Sequence, residues 1–114
     1  MNVIEELTKI LEQRRTADPK TSYVASLFDA GLDRILKKVA EECGEAIIAA
    51  KNVDAGGTGR DDALIGEVAD LWFHTMVMLV QLKQQPTWVF DELARRLGVS
   101  GHVEKAGRIG SQND

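Results

Sequence analysis

Residues 64–82 read LIGEVADLWFHTMVMLVQL, and the rest of the chain must pack around this stretch. At about 100° per residue, its apolar side chains cover most of the circumference of a helix. Four of its polar residues share one sector that is about 60° wide, and they are Glu67, Asp70, His74 and Gln81. A helix that is apolar on nearly every side is buried on nearly every side. One chain of 114 residues has few other helices with which to cover it, so we expect a second subunit to do so.

The remainder of the chain also has helical spacing, interrupted by prolines and glycines. Apolar residues at three- and four-residue intervals predict helices over about 3–15, 32–52 and 61–83, a short helix over about 22–31 and a last one over about 86–98. Asn2 and Ser22 are the expected N-caps, and Gly98 is the expected stop. The residues of the last helix that are expected to face inward are Val89, Phe90, Leu93 and Leu97. No stretch alternates with a period of two for long enough to form a strand, so the predicted fold class is all-α.

A chain of this length holds one domain, and we assign residues 1–114 to a single all-α domain of four to five helices. Its core helices are expected to form a four-helix-type bundle that oligomerisation completes, as a homodimer or a higher homo-oligomer. The polar tail over about residues 100–114 contains glycines and is expected to be flexible.

Two of the predicted helices carry carboxylates at spacings that place them on one face. Glu67 and Asp70 are three residues apart, as are Glu42 and Glu45, and Glu41 precedes Glu45 by four. An antiparallel pair of helices lays these acidic stripes side by side. Either stripe can also be the solvent-facing edge of its helix, which is what isolated acidic runs usually are. If the stripes face each other, as many as five carboxylates repel one another unless cations separate them.

The composition restricts which cation such a site can bind. The chain has 18 Asp and Glu, 14 Lys and Arg, 2 His and 1 Cys. This excludes a Cys-rich zinc site and a disulfide framework, and Cys43, among apolar neighbours, is expected in the core. Hard oxygen ligands favour Mg²⁺, with Mn²⁺ as the alternative. A net charge of −4 gives no general attraction to nucleic acid, so a phosphate-bearing partner must bind through the metal.

No stretch of the sequence predicts export or membrane insertion. The first 15 residues have no basic start, no long apolar segment and no small-residue cleavage site. The longest purely apolar run, residues 76–80, is far shorter than the about 20 residues that span a bilayer. We therefore expect a soluble cytoplasmic protein with no membrane partner and no nucleic-acid partner.

Four further residues are candidates for substrate contact. Lys38 lies one turn before Glu42 and either binds a phosphate or simply balances the charge of Glu42. His74 continues the acidic stripe of the later helix, where it can support a ligand, touch the substrate or be a satisfied, partly buried histidine. Ser22 and Tyr23 can reach the substrate from a neighbouring segment, although capping and packing account for them equally well.

Several motifs resemble those of one known family. Glu42-x-x-Glu45, 21 intervening residues and Glu67-x-x-Asp70 are similar to the ExxE…ExxD signature of the all-α nucleoside triphosphate pyrophosphohydrolases, the MazG-like group. Within that group, SYVASLF at 22–28, ILKKV at 35–39 and EECGE at 41–45 most resemble the phosphoribosyl-ATP pyrophosphatases of histidine biosynthesis. The resemblance spans about residues 20–97, and Val24 stands where that family often has Thr.

The resemblance implies hydrolysis of phosphoribosyl-ATP to phosphoribosyl-AMP and pyrophosphate, by Mg²⁺-assisted attack of water on the triphosphate. It also implies four metal ligands, which are Glu42, Glu45, Glu67 and Asp70. The carboxylate that orients the water is Glu41 or Glu45, and the sequence does not choose between them. Two alternatives share much of this pattern: a clean-up pyrophosphatase that acts on NTPs or dNTPs, and a non-catalytic helical dimerisation module.

Overall fold

The computed structural model describes residues 2–54 and 56–98, and five α-helices account for most of them. The helices are α1 (Val3–Arg14), α2 (Tyr23–Ala30), α3 (Leu32–Lys51), α4 (Asp62–Gln81) and α5 (Pro86–Leu97). Each helix begins and ends within two residues of its predicted bounds, and the described residues contain no strand. The all-α fold class is therefore confirmed. The tail over about residues 100–114, predicted to be flexible, lies outside the described residues.

Side-chain caps explain where three of the helices begin. Asn2 Oδ1 accepts hydrogen bonds from two backbone N–H groups in the first turn of α1, at 3.0 and 3.2 Å. Ser22 Oγ accepts one from the first turn of α2 at 3.1 Å, so both predicted N-caps are confirmed. Asp61 Oδ1 does the same for α4 at 2.9 Å, and its negative charge is favourable at a helix N-terminus.

Glycines allow the chain to turn at two helix ends. Gly31 alone separates α2 from α3, and its φ of 101° lies in the left-handed region that favours glycine. The chain therefore passes from one helix into the next within a single residue. Gly98 ends α5 as predicted, with a φ of 68° and its N–H donating to the carbonyl of Ala94.

Helices α3 and α4 form an antiparallel pair, which is the most extensive helix contact among the described residues. Helices α1 and α2 pack against one half of this pair, made by the N-terminal half of α3 and the C-terminal half of α4. The buried apolar core lies in this half and consists of Leu11, Leu27, Phe28, Ile35, Met76, Val77 and Val80. Packing is therefore concentrated at one end of the pair.

The other half of the α3–α4 pair is not covered by any described part of the chain. Its apolar residues Ile47, Ile48 and Ile65 are between 46% and 64% exposed. Cys43 is exposed as well, so the prediction that it lies in the core is wrong for the single chain. The spacing correctly marks an apolar face of α3, but no described helix packs on that face.

Helix α5 is also more exposed than predicted. Its predicted inward-facing residues are 42–70% exposed, and they are Val89, Phe90, Leu93 and Leu97. Only Pro86 of this helix is buried, because α5 contacts α1 and α4 over a small area. The prediction that these four residues face the core is wrong for the single chain.

Helix α4 is, among the described residues, the one helix long and apolar enough to cross a membrane by length and composition alone. Its 20 residues include a window with a mean hydropathy of 1.5. The core helix of a soluble protein passes the same test, and α4 carries the carboxylates Glu67 and Asp70. Its apolar character is therefore only a weak indication of membrane insertion.

Candidate metal centre

Three carboxylates from the two central helices meet near the middle of the α3–α4 pair. Glu67 and Asp70 lie one turn apart on α4, and Glu42 faces them from α3. One oxygen from each of these three side chains lies within 4.8 Å of the others. The antiparallel pairing thus brings together three of the five carboxylates of the predicted acidic stripes, and we call these three the carboxylate cluster.

Two oxygen atoms of the carboxylate cluster are buried without a hydrogen-bond partner in the described structure. They are Glu42 Oε1 and Glu67 Oε1. Glu42 as a whole is only 5% exposed, whereas Asp70 is open to solvent. An unpaired buried carboxylate oxygen is unfavourable, and most such atoms in folded proteins are satisfied by a partner. A divalent cation between the three side chains would supply one.

Burial, together with repulsion between carboxylates, changes the ionisation of Glu67. Burial, the charges of Glu45 and Asp70, a hydrogen bond with Glu45 and the charge of Glu42 all raise the pKa of Glu67 above its ordinary value of 4.5. Glu45 therefore lies beside the carboxylate cluster, although it is exposed. Glu45 and Glu67 also line a cavity of about 290 Å³ that continues toward the α3–α4 loop as far as Asn52 and Asp61.

Lys38 lies on the opposite side of Glu42 from the loop. Its Nζ atom is 3.5 Å from Glu41 Oε1 and 3.7 Å from Glu42 Oε2. The pKa of Lys38 is raised, first by interaction with Tyr23 and then by Glu41 and Glu42, while burial opposes the change. Lys38 thus balances Glu42 in this structure, and Glu41 pairs with Lys38 instead of joining the carboxylate cluster.

His74 and Tyr23 form a contact between α4 and α2. The Tyr23 hydroxyl lies 2.9 Å from His74 Nε2, and His74 Nδ1 lies 2.9 Å from the backbone carbonyl oxygen of Asp70. His74 is 6% exposed and both of its ring nitrogens have partners, as expected of a satisfied, buried histidine, while the bond to Asp70 is also consistent with support of a ligand. Ser22 is occupied as the N-cap of α2.

Sequence reasoning selected His74 and Tyr23 separately but missed the bond between them. The two residues are 51 positions apart, and helical spacing says nothing about which helix packs on which face. One signal was available, because His74 shares the narrow polar sector of α4 with Glu67 and Asp70. A polar group in that sector has to find its partner on a neighbouring helix.

Comparison with known proteins adds two similarities. The family model described as phosphoribosyl-ATP pyrophosphohydrolase matches residues 4–97. The phosphoribosyl-ATP pyrophosphatase of Hydrogenovibrio crunogenus (strain DSM 25203 / XCL-2) is 51% identical over 113 residues, which cover 99% of this chain and 96% of the relative. The matched residues include the whole candidate site, from Ser22 to His74.

Proposed function

Because the chain belongs to the phosphoribosyl-ATP pyrophosphohydrolase family, we propose that Glu42, Glu67 and Asp70 bind the divalent cation with which it hydrolyses phosphoribosyl-ATP. The reaction belongs to histidine biosynthesis and gives phosphoribosyl-AMP and pyrophosphate. One observation carries the assignment of the site. Glu42 Oε1 and Glu67 Oε1 are buried without partners, in a cluster in which one oxygen of each carboxylate lies within 4.8 Å of the others. Such a cluster is favourable only when positive charge joins it.

The donor set supports Mg²⁺, with Mn²⁺ as the alternative. Every ligand atom of the carboxylate cluster is a carboxylate oxygen, which is the ligand type that both ions prefer. When bound, such a cation offsets the negative charge of the triphosphate and makes water more acidic. Glu45 lies beside Glu67, and this supports Glu45 as the fourth carboxylate of the site.

The remaining roles fall to residues at the edge of the carboxylate cluster. Lys38 is the candidate for contact with a phosphate, since its ammonium group already lies next to Glu42. Glu41 or Glu45 accepts the proton of the attacking water. Replacement by Gln distinguishes these two. The variant that removes the base loses kcat at unchanged cation affinity, whereas the variant that removes a ligand weakens cation binding.

We also propose that the enzyme is a homodimer or a higher homo-oligomer in the cytoplasm. The uncovered half of the α3–α4 pair supports a second copy, because Ile47 and Ile48 are each more than half exposed in the single chain. Membership of a family of histidine-biosynthesis enzymes supports the location.

The decisive experiment measures pyrophosphate release from phosphoribosyl-ATP and from a panel of NTPs and dNTPs, with Mg²⁺ present. We expect phosphoribosyl-ATP to have the highest kcat/KM, and preference for a simple dNTP would overturn the proposal. Glu42→Ala and Asp70→Ala are expected to lower kcat by at least about 10²-fold while circular dichroism remains unchanged. Calorimetry that detects neither Mg²⁺ nor Mn²⁺ binding, with or without nucleotide, would contradict the metal site.

A further inference from the structure

A cavity of about 290 Å³ opens beside the carboxylate cluster, between the C-terminal end of α3 and the start of α4. Its apolar wall consists of Ile48 and Ala49 from α3 and Ala63 from α4. Two of these three side chains are short, which keeps the space between the helices open. Sites for small molecules have volumes of about 300–1,000 Å³ and mostly apolar walls. The cavity therefore has the size and the apolar wall of a site for one heteroaromatic ring system.

The products of the reaction indicate which part of the substrate extends into this cavity. Phosphoribosyl-AMP and pyrophosphate result from cleavage between the α- and β-phosphates, so these two phosphates lie at the carboxylate cluster. The nucleoside and the terminal phosphate are attached on opposite sides of this bond. Lys38, the candidate for contact with a phosphate, lies on the N-terminal side of Glu42 along α3, and the cavity lies on its C-terminal side. A terminal phosphate at Lys38 therefore directs the nucleoside into the cavity.

The cavity also has an acidic wall, and its carboxylates differ in what they can bind. Glu45 and Glu67 line it on the side of the carboxylate cluster, where the proposed cation offsets their charge. Asp61 lines it at the start of α4. One oxygen of Asp61 accepts the Leu64 N–H at 2.9 Å, and because a carboxylate has about four lone-pair sites, the cap leaves Asp61 able to accept further hydrogen bonds. Among the described residues that line the cavity, Asp61 is thus the carboxylate that remains for the nucleoside.

The adenine ring of phosphoribosyl-ATP differs in charge from that of ATP. In phosphoribosyl-ATP, N1 of the adenine carries a second ribose. An N1-substituted adenine is an amidine that is protonated at neutral pH, whereas the adenine of ATP is neutral. The exocyclic nitrogen of the substituted ring is then a charged N–H donor, and a hydrogen bond from such a donor to a carboxylate is stronger than one between neutral groups.

We propose that the cavity binds the adenine ring of the substrate and that Asp61 is a specificity-determining residue, which favours phosphoribosyl-ATP over ATP by accepting a hydrogen bond from the positively charged ring. The inference rests on the proposed function, which supplies the substrate and the position of its phosphates. A carboxylate this close to a triphosphate repels it, and only a positively charged ring offsets that repulsion. The acidic wall is therefore favourable for phosphoribosyl-ATP and unfavourable for ATP.

The test isolates the charge of the ring from the rest of the substrate. Calorimetry with Mg²⁺ present compares the hydrolysis-resistant α,β-methylene forms of ATP and of N1-methyl-ATP, which differ only in the N1 substituent and its charge. We expect the wild type to bind the N1-methyl nucleotide about tenfold more tightly, the effect of one hydrogen bond to a charged group. Asp61→Asn keeps a good N-cap but removes the negative charge, so it is expected to reduce this preference to less than about threefold.

Two further variants separate the cavity from its surroundings. Asp62→Asn makes the same change of charge one residue along, at an 85% exposed side chain that pairs with Arg60 and does not line the cavity. It is expected to keep the tenfold preference. Ala63→Leu places a larger side chain in the cavity wall and is expected to weaken the binding of both nucleotides about tenfold, while the affinity for Mg²⁺ alone stays that of the wild type.

The proposal is overturned if the wild type binds the two nucleotides equally or binds neither. It is also overturned if Asp61→Asn keeps the wild-type preference, if Asp62→Asn loses it as well, or if Ala63→Leu binds both nucleotides as the wild type does. None of these measurements requires turnover. A wild type that prefers the N1-methyl nucleotide but does not hydrolyse phosphoribosyl-ATP would contradict the proposed function alone. One that hydrolyses phosphoribosyl-ATP without this preference would contradict the role of Asp61 and leave the proposed function intact.

Discussion

Glu67 is a residue at which folding and the proposed function make opposite demands. Its pKa is raised by burial and by the neighbouring charges of Glu45, Asp70 and Glu42. In the folded, metal-free protein its ionised form is therefore less favourable than in the unfolded chain. Between pH 4.5 and the raised pKa, the folded protein keeps a proton on Glu67 that the unfolded chain has released. The free energy of unfolding therefore falls as pH rises through this range.

We therefore expect Glu67→Gln to raise the unfolding temperature of the metal-free protein at pH 7. We also expect the unfolding temperature of this variant to fall less than that of the wild type as pH rises above 4.5. The same variant should lose Mg²⁺-dependent hydrolysis, because a ligand is gone. In the wild type, a cation at 100 times its Kd adds about 2.7 kcal/mol to the free energy of unfolding, and Glu67→Gln should abolish this gain. Thermal unfolding with EDTA and with Mg²⁺, from pH 4.5 to 8, measures both effects.

Glu12→Gln is the matched control for this experiment. Glu12 lies on α1, is exposed and pairs with Arg15 at 3.4 Å, so its replacement should not stabilise the protein. A metal-free Glu67→Gln protein that is less stable than the wild type at pH 7 would show that the charge of Glu67 is not unfavourable. The site would then need no cation to offset it.

At the scale of elements, α4 carries two of the three cluster carboxylates, and Asp61 fixes where this helix begins. The Asp61 side chain accepts the Leu64 N–H at 2.9 Å. We expect Asp61→Ala to lower the free energy of unfolding by about 1 kcal/mol. Asp61→Asn should lower it much less, since both Asp and Asn are good N-caps. Urea unfolding at pH 7 measures the difference.

The neighbouring aspartate provides the control for Asp61. Asp62 has an 85% exposed side chain and pairs with Arg60 at 2.7 Å, a solvent-exposed ion pair. Asp62→Ala should therefore change the free energy of unfolding by less than about 1 kcal/mol. Equal losses in Asp61→Ala and Asp62→Ala would mean that general negative charge at the helix N-terminus, and not the cap, stabilises α4.

The positions of the helices could be predicted from the sequence because the residues that begin and end a helix lie next to it in the chain. Caps such as Asn2 and Ser22, and the glycine at 98, are read directly from neighbouring residues. The meeting of Glu42 with Glu67 and Asp70 follows from two stripes on two paired helices. Local spacing therefore predicted the centre of the candidate site as well as the fold class.

What the sequence did not predict depends on contacts between helices. Glu41 and Glu42 are adjacent, so they point about 100° apart on α3, and only Glu42 faces α4 while Glu41 pairs with Lys38. The bond from Tyr23 to His74 spans 51 residues. Cys43 lies on an apolar face, yet burial requires a partner for that face, and spacing alone cannot say whether the same chain supplies it.

At the scale of the whole molecule, the described helices leave a substantial apolar surface exposed. The core lies at one end of the α3–α4 pair, where α1 and α2 pack. Beyond it, Ile47 is 64% and Ile48 62% exposed on α3, and Ile65 is 46% exposed on α4. Several large apolar side chains exposed in one region are typical of an interface in soluble proteins. Pairing with the same face of a second copy would complete a four-helix bundle.

A charge placed on this face tests the proposed dimer. We expect Ile47→Glu to convert the wild-type dimer into a monomer at micromolar concentration, because the interface would have to bury an unpaired carboxylate. Val3→Glu is the matched control, since Val3 is 62% exposed but lies on α1, away from the uncovered half of the α3–α4 pair. Sedimentation equilibrium measures the mass of each variant. A monomeric wild type, or an Ile47→Glu protein that remains dimeric, would contradict this interface, since Glu is readily tolerated on a face that stays in water.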